Sequence, residues 1–226
     1  MVISACKKSM QQNEPDPATE AAPVSKSKSP DAVSSTTLVT DNFSTGTSGN
    51  SPSGWTVTNA SSTSALVRYY PNSTNLVLKF TDENTAGSTQ AKKAFTAQSG
   101  IVTVQFKINE ADMNKYTHYI IKSGTTWAIE LATLHNGSTS GANQINYISV
   151  GNVIHGLQVL SPNTWYTIKV VANATTNKFD VYVNGILKAS NIDFKYRANF
   201  LDAFQVLTGG SYTGVVAYLD DVLITK

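Results

Sequence analysis

The segment from Trp165 to Gly185, WYTIKVVANATTNKFDVYVNG, constrains the fold more than any other stretch of the 226-residue chain. Tyr166, Ile168, Val170 and Ala172 alternate with Thr167, Lys169 and Val171. Beyond the polar break NATTN, Phe179, Val181 and Val183 alternate with Asp180, Tyr182 and Asn184. A period of two puts one set on a buried face and the other toward water, so the segment predicts an antiparallel hairpin. Asn184-Gly185 predicts a further tight turn before Ile186-Leu187-Lys188, because both residue types tolerate the positive φ of two-residue hairpin loops. A chain organised around such a unit is all-β.

The same signal recurs from Leu38 onward, in LVTDNF, GWTVT, ALVRYY, NLVLKF, AKKAFTA, IVTVQFKI, HYIIKS, WAIELATL, QINYISV, HGLQVL, IDF, LDAFQVL and VAYLDDVLIT. The intervening loops TGTSGNSPSG, NGSTSGANQ, SPNT and TGGSYTG are rich in Gly, Pro, Asn and Ser, which reverse the chain through permissive φ or local side-chain bonds. KAFTAQ and YRANFLDA have room for a short helical turn each, and no apolar run is long enough for a transmembrane helix. Many short, evenly spaced strands predict two stacked antiparallel sheets, a β-sandwich of jelly-roll type, over an open sheet or a propeller. Trp55 and Trp165 are expected in its core.

A net charge of +2 with 14% charged residues leaves no basic stripe, which argues against nucleic acid as a partner. One Cys excludes an internal disulfide. Residues 1–37 carry almost no periodic apolar signal and are rich in Pro, Ser, Ala, Lys and Glu. They are expected to be a disordered tether to a domain spanning 38–226. Within the tether, Ile3-Ser4-Ala5-Cys6 resembles the bacterial lipobox, which implies lipidation at Cys6 and a place on the bacterial outer membrane or cell surface. The residues before it are too few for the apolar core of a signal peptide, which implies a late start or a trimmed chain.

The order of the opening DNFSTGTSGNSPSGWTV, the strand IVTVQFKI, the WYTIKVV…FDVYVNG hairpin and the closing AYLDDVLI resembles the concanavalin A-like lectin/glucanase superfamily, with laminin G-like domains as its nearest relatives. The resemblance covers Leu38 to Lys226. It implies a two-sheet jelly roll, a fold that hosts lectins, lyases, hydrolases and adhesion modules. In that superfamily the first and last strands usually pair, which would bring Asp41 near Asp220 and Asp221 and offer carboxylates to a structural Ca2+. The alternative is that Asp41 caps a turn and one C-terminal aspartate faces water.

Three chemistries fit such a fold. Glycoside hydrolysis needs two carboxyl groups flanking the bond, and the E-x-D-x-x-E strand of the superfamily's glucanases is absent. Glu130, in AIELATL, has no second carboxylate after it and reads as solvent-facing. β-Elimination of a uronate polymer needs a base, a carboxylate neutraliser and an acid. Jelly-roll alginate lyases carry R-x-E-L-R, Q-I/V-H and Y-F-K-A-G-x-Y in that order. The resemblance assigns these loosely to Arg68, to Gln105 with Lys107, and to Tyr196, with His118 as a further base, although the first motif lacks its Glu and second Arg and Lys107 stands in place of His. The plainer reading of Thr103, Gln105 and Lys107 is the polar face of an amphipathic strand. Glycan binding without chemistry needs exposed aromatic rings for the sugar's apolar face and polar groups for its hydroxyls. Tyr116, His118, Trp127, His135, Tyr147 and Tyr212 are the candidates, Trp127 also being readable as a core neighbour of Ile129 and Leu131. His118, His135 and His155 lack zinc-ligand spacing. The sequence thus favours a polysaccharide-binding domain of a surface lipoprotein, with a small polysaccharide lyase as the alternative and laminin G-like protein adhesion as a third class.

Overall fold

The computed structural model describes residues 35–113, 115–133, 143–209 and 212–226. Cys6, nearly all of the expected tether and His135 lie outside them. Among the described residues fifteen strands follow one another. The first five are β1 (Thr37–Asp41), β2 (Thr56–Asn59), β3 (Thr63–Tyr69), β4 (Leu76–Asp82) and β5 (Thr89–Gln98). Next come β6 (Ile101–Glu110), β7 (Thr117–Ser123), β8 (Thr126–Thr133), β9 (Gln144–Ile148) and β10 (Ile154–Val159). The last five are β11 (Tyr166–Asn173), β12 (Lys178–Val183), β13 (Ile186–Asp193), β14 (Leu201–Thr208) and β15 (Val215–Thr225).

They build two antiparallel sheets that do not close into a barrel, a β-sandwich jelly roll. The first sheet runs β13-β12-β11-β6-β15-β4-β3, with β1 also on β15; the second runs β10-β9-β8-β7-β14-β5-β2. The alternation at the opening hairpin is realised in full. β11 and β12 pair from Ile168↔Val183 to Asn173↔Lys178, and Ile168, Val170, Ala172, Phe179, Val181 and Val183 are all buried. Asn184 and Gly185 take φ of 49° and 79°, the left-handed pair that closes the next turn.

Pleating divides each strand between core and outer face. On β6, Val102, Val104, Phe106 and Ile108 point inward and meet the second sheet's Tyr119 and Phe204, whose rings lie 5.3 and 4.7 Å from that of Phe106. Thr103, Gln105 and Lys107 therefore project from the outer face of the first sheet, and His118, Lys122 and Gln205 from that of the second. At one end of the sandwich the sheets are also joined by buried polar groups. Glu110 of β6 accepts hydrogen bonds from Tyr119 (2.6 Å), Thr117 (3.2 Å) and Thr133 (3.3 Å). Asp82 of β4 accepts one from Thr208 of β14 at 2.6 Å.

Three local expectations are corrected. KAFTAQ is strand, because Lys92, Lys93 and Ala94 are paired to Gln205, Phe204 and Ala203 and sheet pairing outweighs local helix preference. YRANFLDA is a bend entering β14, and the helical turn that does form is a 3-10 turn at Val150–Asn152. Trp165 is half-exposed, not core. It precedes β11 and packs beside Tyr70 at 6.1 Å between ring centroids. Trp55 is buried as expected.

Candidate functional site

The outer face of the second sheet carries a cluster of polar and aromatic groups. His118 on β7 and Glu130 on β8 are diagonal neighbours, since His118 pairs with Ala132 and Ile120 with Glu130. Their side chains meet at 2.7 Å through Nδ1 and Oε1. The other carboxylate oxygen receives Lys195 Nζ at 2.5 Å, and the same ammonium donates to Asn152 Oδ1 at 2.8 Å. Lys195 is held there by its own backbone, whose N–H donates to Ala128 O at 2.8 Å, while the adjacent Phe194 is buried in the core.

Glu130 is 3% exposed and Lys195 is 5% exposed. The sequence reading of Glu130 as a water-facing carboxylate is thus corrected: it is the buried hub of a three-residue cluster. Burial alone would push its carboxyl up; the bonds and charges of His118 and Lys195 outweigh burial and hold it below the ordinary carboxylate range. The cluster keeps an ionised carboxylate under the face and fixes the imidazole of His118 in place.

Aromatic rings surround this hub. Tyr116 lies 4.9 Å from His118, Trp127 lies 6.2 Å from it, and Tyr212 is parallel to Tyr116 at 6.0 Å. Tyr116 and Ile154 both pack against the buried pair Ala132 and Ile148. Trp127 reaches the outer face through a bulge, Lys122 pairing with Trp127 but Ile121 with Ile129. The extra residue turns Trp127 outward while Ile129 and Leu131 stay in the core. Beyond the hub, the face continues as a polar row. Lys122 Nζ donates to Gln205 Oε1 at 3.2 Å, and Gln205 Nε2 donates to Gln90 Oε1 at 2.8 Å. Burial and the nearby Lys92 push the Lys122 ammonium down.

Of the residues singled out for ligand binding, Tyr116, His118, Trp127 and Tyr212 are brought together. Tyr147 is not among them: it packs on core Phe179 at 6.2 Å and stacks on His155 at 4.4 Å. The lyase set is divided. Tyr196 is exposed beside Lys195, whose ammonium is 5.7 Å from its ring, and so borders His118's face. Arg68, Gln105 and Lys107 stand on the outer face of the first sheet, the core lying between them and His118. Asn152 escaped the sequence reading, Glu130 was read as solvent-facing, and Lys195 was given no role in it. A carboxylate inside the apolar run AIELATL was the available signal, since a charge buried there requires a partner.

β1 and β15 do pair, with Asp41 opposite Val222. Yet Asp41 already accepts from Phe43 N at 3.0 Å and Trp55 Nε1 at 2.8 Å, with Lys93 at 3.4 Å. Asp221 pairs with Lys107 at 2.7 Å. Burial pushes the Asp220 carboxyl up. Among the described residues no group of three or more His, Cys, Asp or Glu is arranged to hold a metal ion.

No family model and no curated protein sequence matches the chain. Solved structures do. A sialidase matches at a TM-score of 0.70 and 13% identity over 83% of this chain. The chain spans 18% of that protein's length. A carbohydrate esterase of the Shiga toxin-encoding bacteriophage phi24B matches at 0.59 and 14% identity, over 85% of this chain and 99% of that one. The CBM2 module of the evolved Dit of Lactobacillus casei BL23 phage J-1 matches at 0.56 and 11% identity, over 84% and 95%. The chain thus shares the β-sandwich jelly-roll fold of these structures.

Proposed function

We propose that the outer face of the second sheet is a polysaccharide-binding cleft. The observation that carries this reading is the gathering of Tyr116, His118, Trp127 and Tyr212 around a buried, charge-compensated Glu130. Rings held by packing offer flat apolar faces to sugar C–H groups, and His118, Gln90, Gln205 and Lys122 offer hydrogen bonds to hydroxyls. The names of the matched structures, a CBM2 module and a carbohydrate esterase among them, agree with a sugar ligand. In the same reading the domain is displayed at a bacterial surface by a lipid on Cys6, a role supported by the lipobox-like Ile3-Ser4-Ala5-Cys6.

One feature favours a second reading, β-elimination. A carboxylate bonded to imidazole Nδ1 is the arrangement that orients a histidine as a general base, with Tyr116 and Tyr196 nearby as acids. In this version the base is His118, and Arg68, Gln105 and Lys107 take no part. The test is incubation with alginate, polygalacturonate and neutral glucans, followed by affinity electrophoresis and absorbance of the unsaturated product. Retention that falls at least tenfold in Trp127→Ala without absorbance supports binding. Rising absorbance that His118→Ala abolishes establishes the lyase. Neither retention nor absorbance with any polymer overturns both.

A further inference from the structure

The outer face of the first sheet carries a groove that the cleft around His118 does not explain. β15 changes neighbours within its length. Up to Leu219 it pairs with β4, and from Val222 it pairs with β1. The change falls at a bulge, where Asp220 pairs with Lys107 and Leu223 with Gln105, and Asp221 takes a φ of 47°. Asp is among the few side chains that tolerate that conformation.

Two adjoining cavities open there, of about 390 and 310 Å³, both lined by Asn42, Lys107 and Asp221. Such volumes are in the range of small-ligand sites. Trp165, Asn75 and Asp220 line the far end. Trp165 is backed by Tyr70, and Tyr70 stacks on Tyr218 with centroids 3.8 Å apart and planes 13° apart. A half-exposed ring packed beside one member of a stacked pair is more restrained than a loose surface aromatic. The Lys107–Asp221 pair remains accessible, at 44% and 45% exposure. An ammonium has three donors and a carboxylate several acceptor sites, so one ion pair leaves bonding capacity on both.

We infer that this groove is a second saccharide-binding site, selective for uncharged, hydroxyl-rich sugars, with Trp165 as the stacking platform and Asn42, Asn75, Lys107, Asp220 and Asp221 as hydroxyl partners. Two carboxylates against one ammonium disfavour a polyanion. A neutral sugar instead presents hydroxyls that donate to the aspartates and accept from Asn and Lys. The apolar face of a pyranose ring covers the indole. The inference is independent of the cleft around His118, because the core separates the two faces.

The test titrates the protein with a soluble β-1,3-glucan, a mannan and a xylan, reading retention in affinity gels and binding by calorimetry. Trp165→Ala and, at an exposed position, Asn42→Ala are compared with Trp127→Ala on the opposite face. Loss of neutral-glycan binding of at least tenfold in Trp165→Ala and of several-fold in Asn42→Ala, with the effect absent in Trp127→Ala, is expected. No binding of any of the three neutral polymers overturns the inference, as does binding that Trp127→Ala removes and the groove variants leave intact. Retention of alginate in the same gels reports separately on the first cleft.

Discussion

Glu110 offers the sharpest quantitative test of how the sandwich is held together. The carboxyl is 3% exposed and joins β6 of one sheet to Tyr119, Thr117 and Thr133 of the other. Burial pushes its pKa up to about 7, against an ordinary 4.5; the three hydrogen bonds oppose that rise, and Asp112 adds to it. A group with a raised folded-state pKa binds more protons folded than unfolded between those two values, so stability falls as pH rises through that window. At about 1.4 kcal/mol per pH unit, the shift corresponds to a loss of about 3 kcal/mol between pH 4 and pH 8, steepest from about 5 to 6.5. Glu110→Gln keeps the shape, keeps an acceptor for Tyr119 and carries no titratable proton. Its free energy of unfolding relative to wild type, from urea titrations at half-unit pH steps, is expected to rise by about 3 kcal/mol from pH 4 to pH 8. All other titrating groups cancel in that difference. A difference that is flat with pH would show that Glu110 titrates normally and that the inter-sheet bridge is an ordinary ionised carboxylate.

Three further outcomes follow from particular residues. Phe106→Ala removes the ring that packs between Tyr119 and Phe204 and should cost about 3–5 kcal/mol in denaturant unfolding. Gly185→Ala forces a side chain onto a φ of 79° with open space around it, so strain alone acts, and a loss on the order of 1 kcal/mol is expected. The depressed Glu130 carboxyl contributes stability above its ordinary pKa that is lost as pH falls through the folded value. Acid unfolding of wild type should therefore show a component that Glu130→Gln lacks.

The hairpin at Trp165 to Gly185 was legible because alternation and the Asn184-Gly185 turn are local properties; the pairing of β1 with β15 was expected only from the resemblance to a fold in which the first and last strands pair. The site was legible in its aromatics and not in its charges. Tyr116, His118 and Trp127 stand near strand starts, where pattern reading looks for exposed rings. Glu130 needed the knowledge that Lys195, 65 residues away, folds back onto β8. Trp127 was ambiguous because its face depends on a bulge, and a single extra residue reverses every assignment on one side of it. Lys107 and His118 were grouped because both belong to polar strand positions. Alternation says that a residue points outward without saying from which sheet, and β6 and β7 lie in different ones.

That separation gives the two outer faces different electrostatics, and ionic strength distinguishes them. On the second sheet Lys92, Lys122 and Lys195 outnumber Glu130 and Asp202, and Lys92 lies close enough to Lys122 to add to the lowering that burial gives its ammonium. An acidic polysaccharide bound there gains from a cationic surface that salt screens within about 8 Å at physiological strength. On the first sheet Asp220 and Asp221 face Lys107 alone among the groove-lining groups at that end, so a neutral glycan bound there has no net charge for salt to screen. Raising salt from about 0.05 to 0.5 M is therefore expected to weaken alginate retention severalfold and to leave β-1,3-glucan retention within twofold. Lys122→Gln should reproduce the salt effect on alginate at low ionic strength and leave the neutral polymer unaffected. Equal salt dependence for the two polymers would mean that they share one face, and the charge argument for two separate sites would fall.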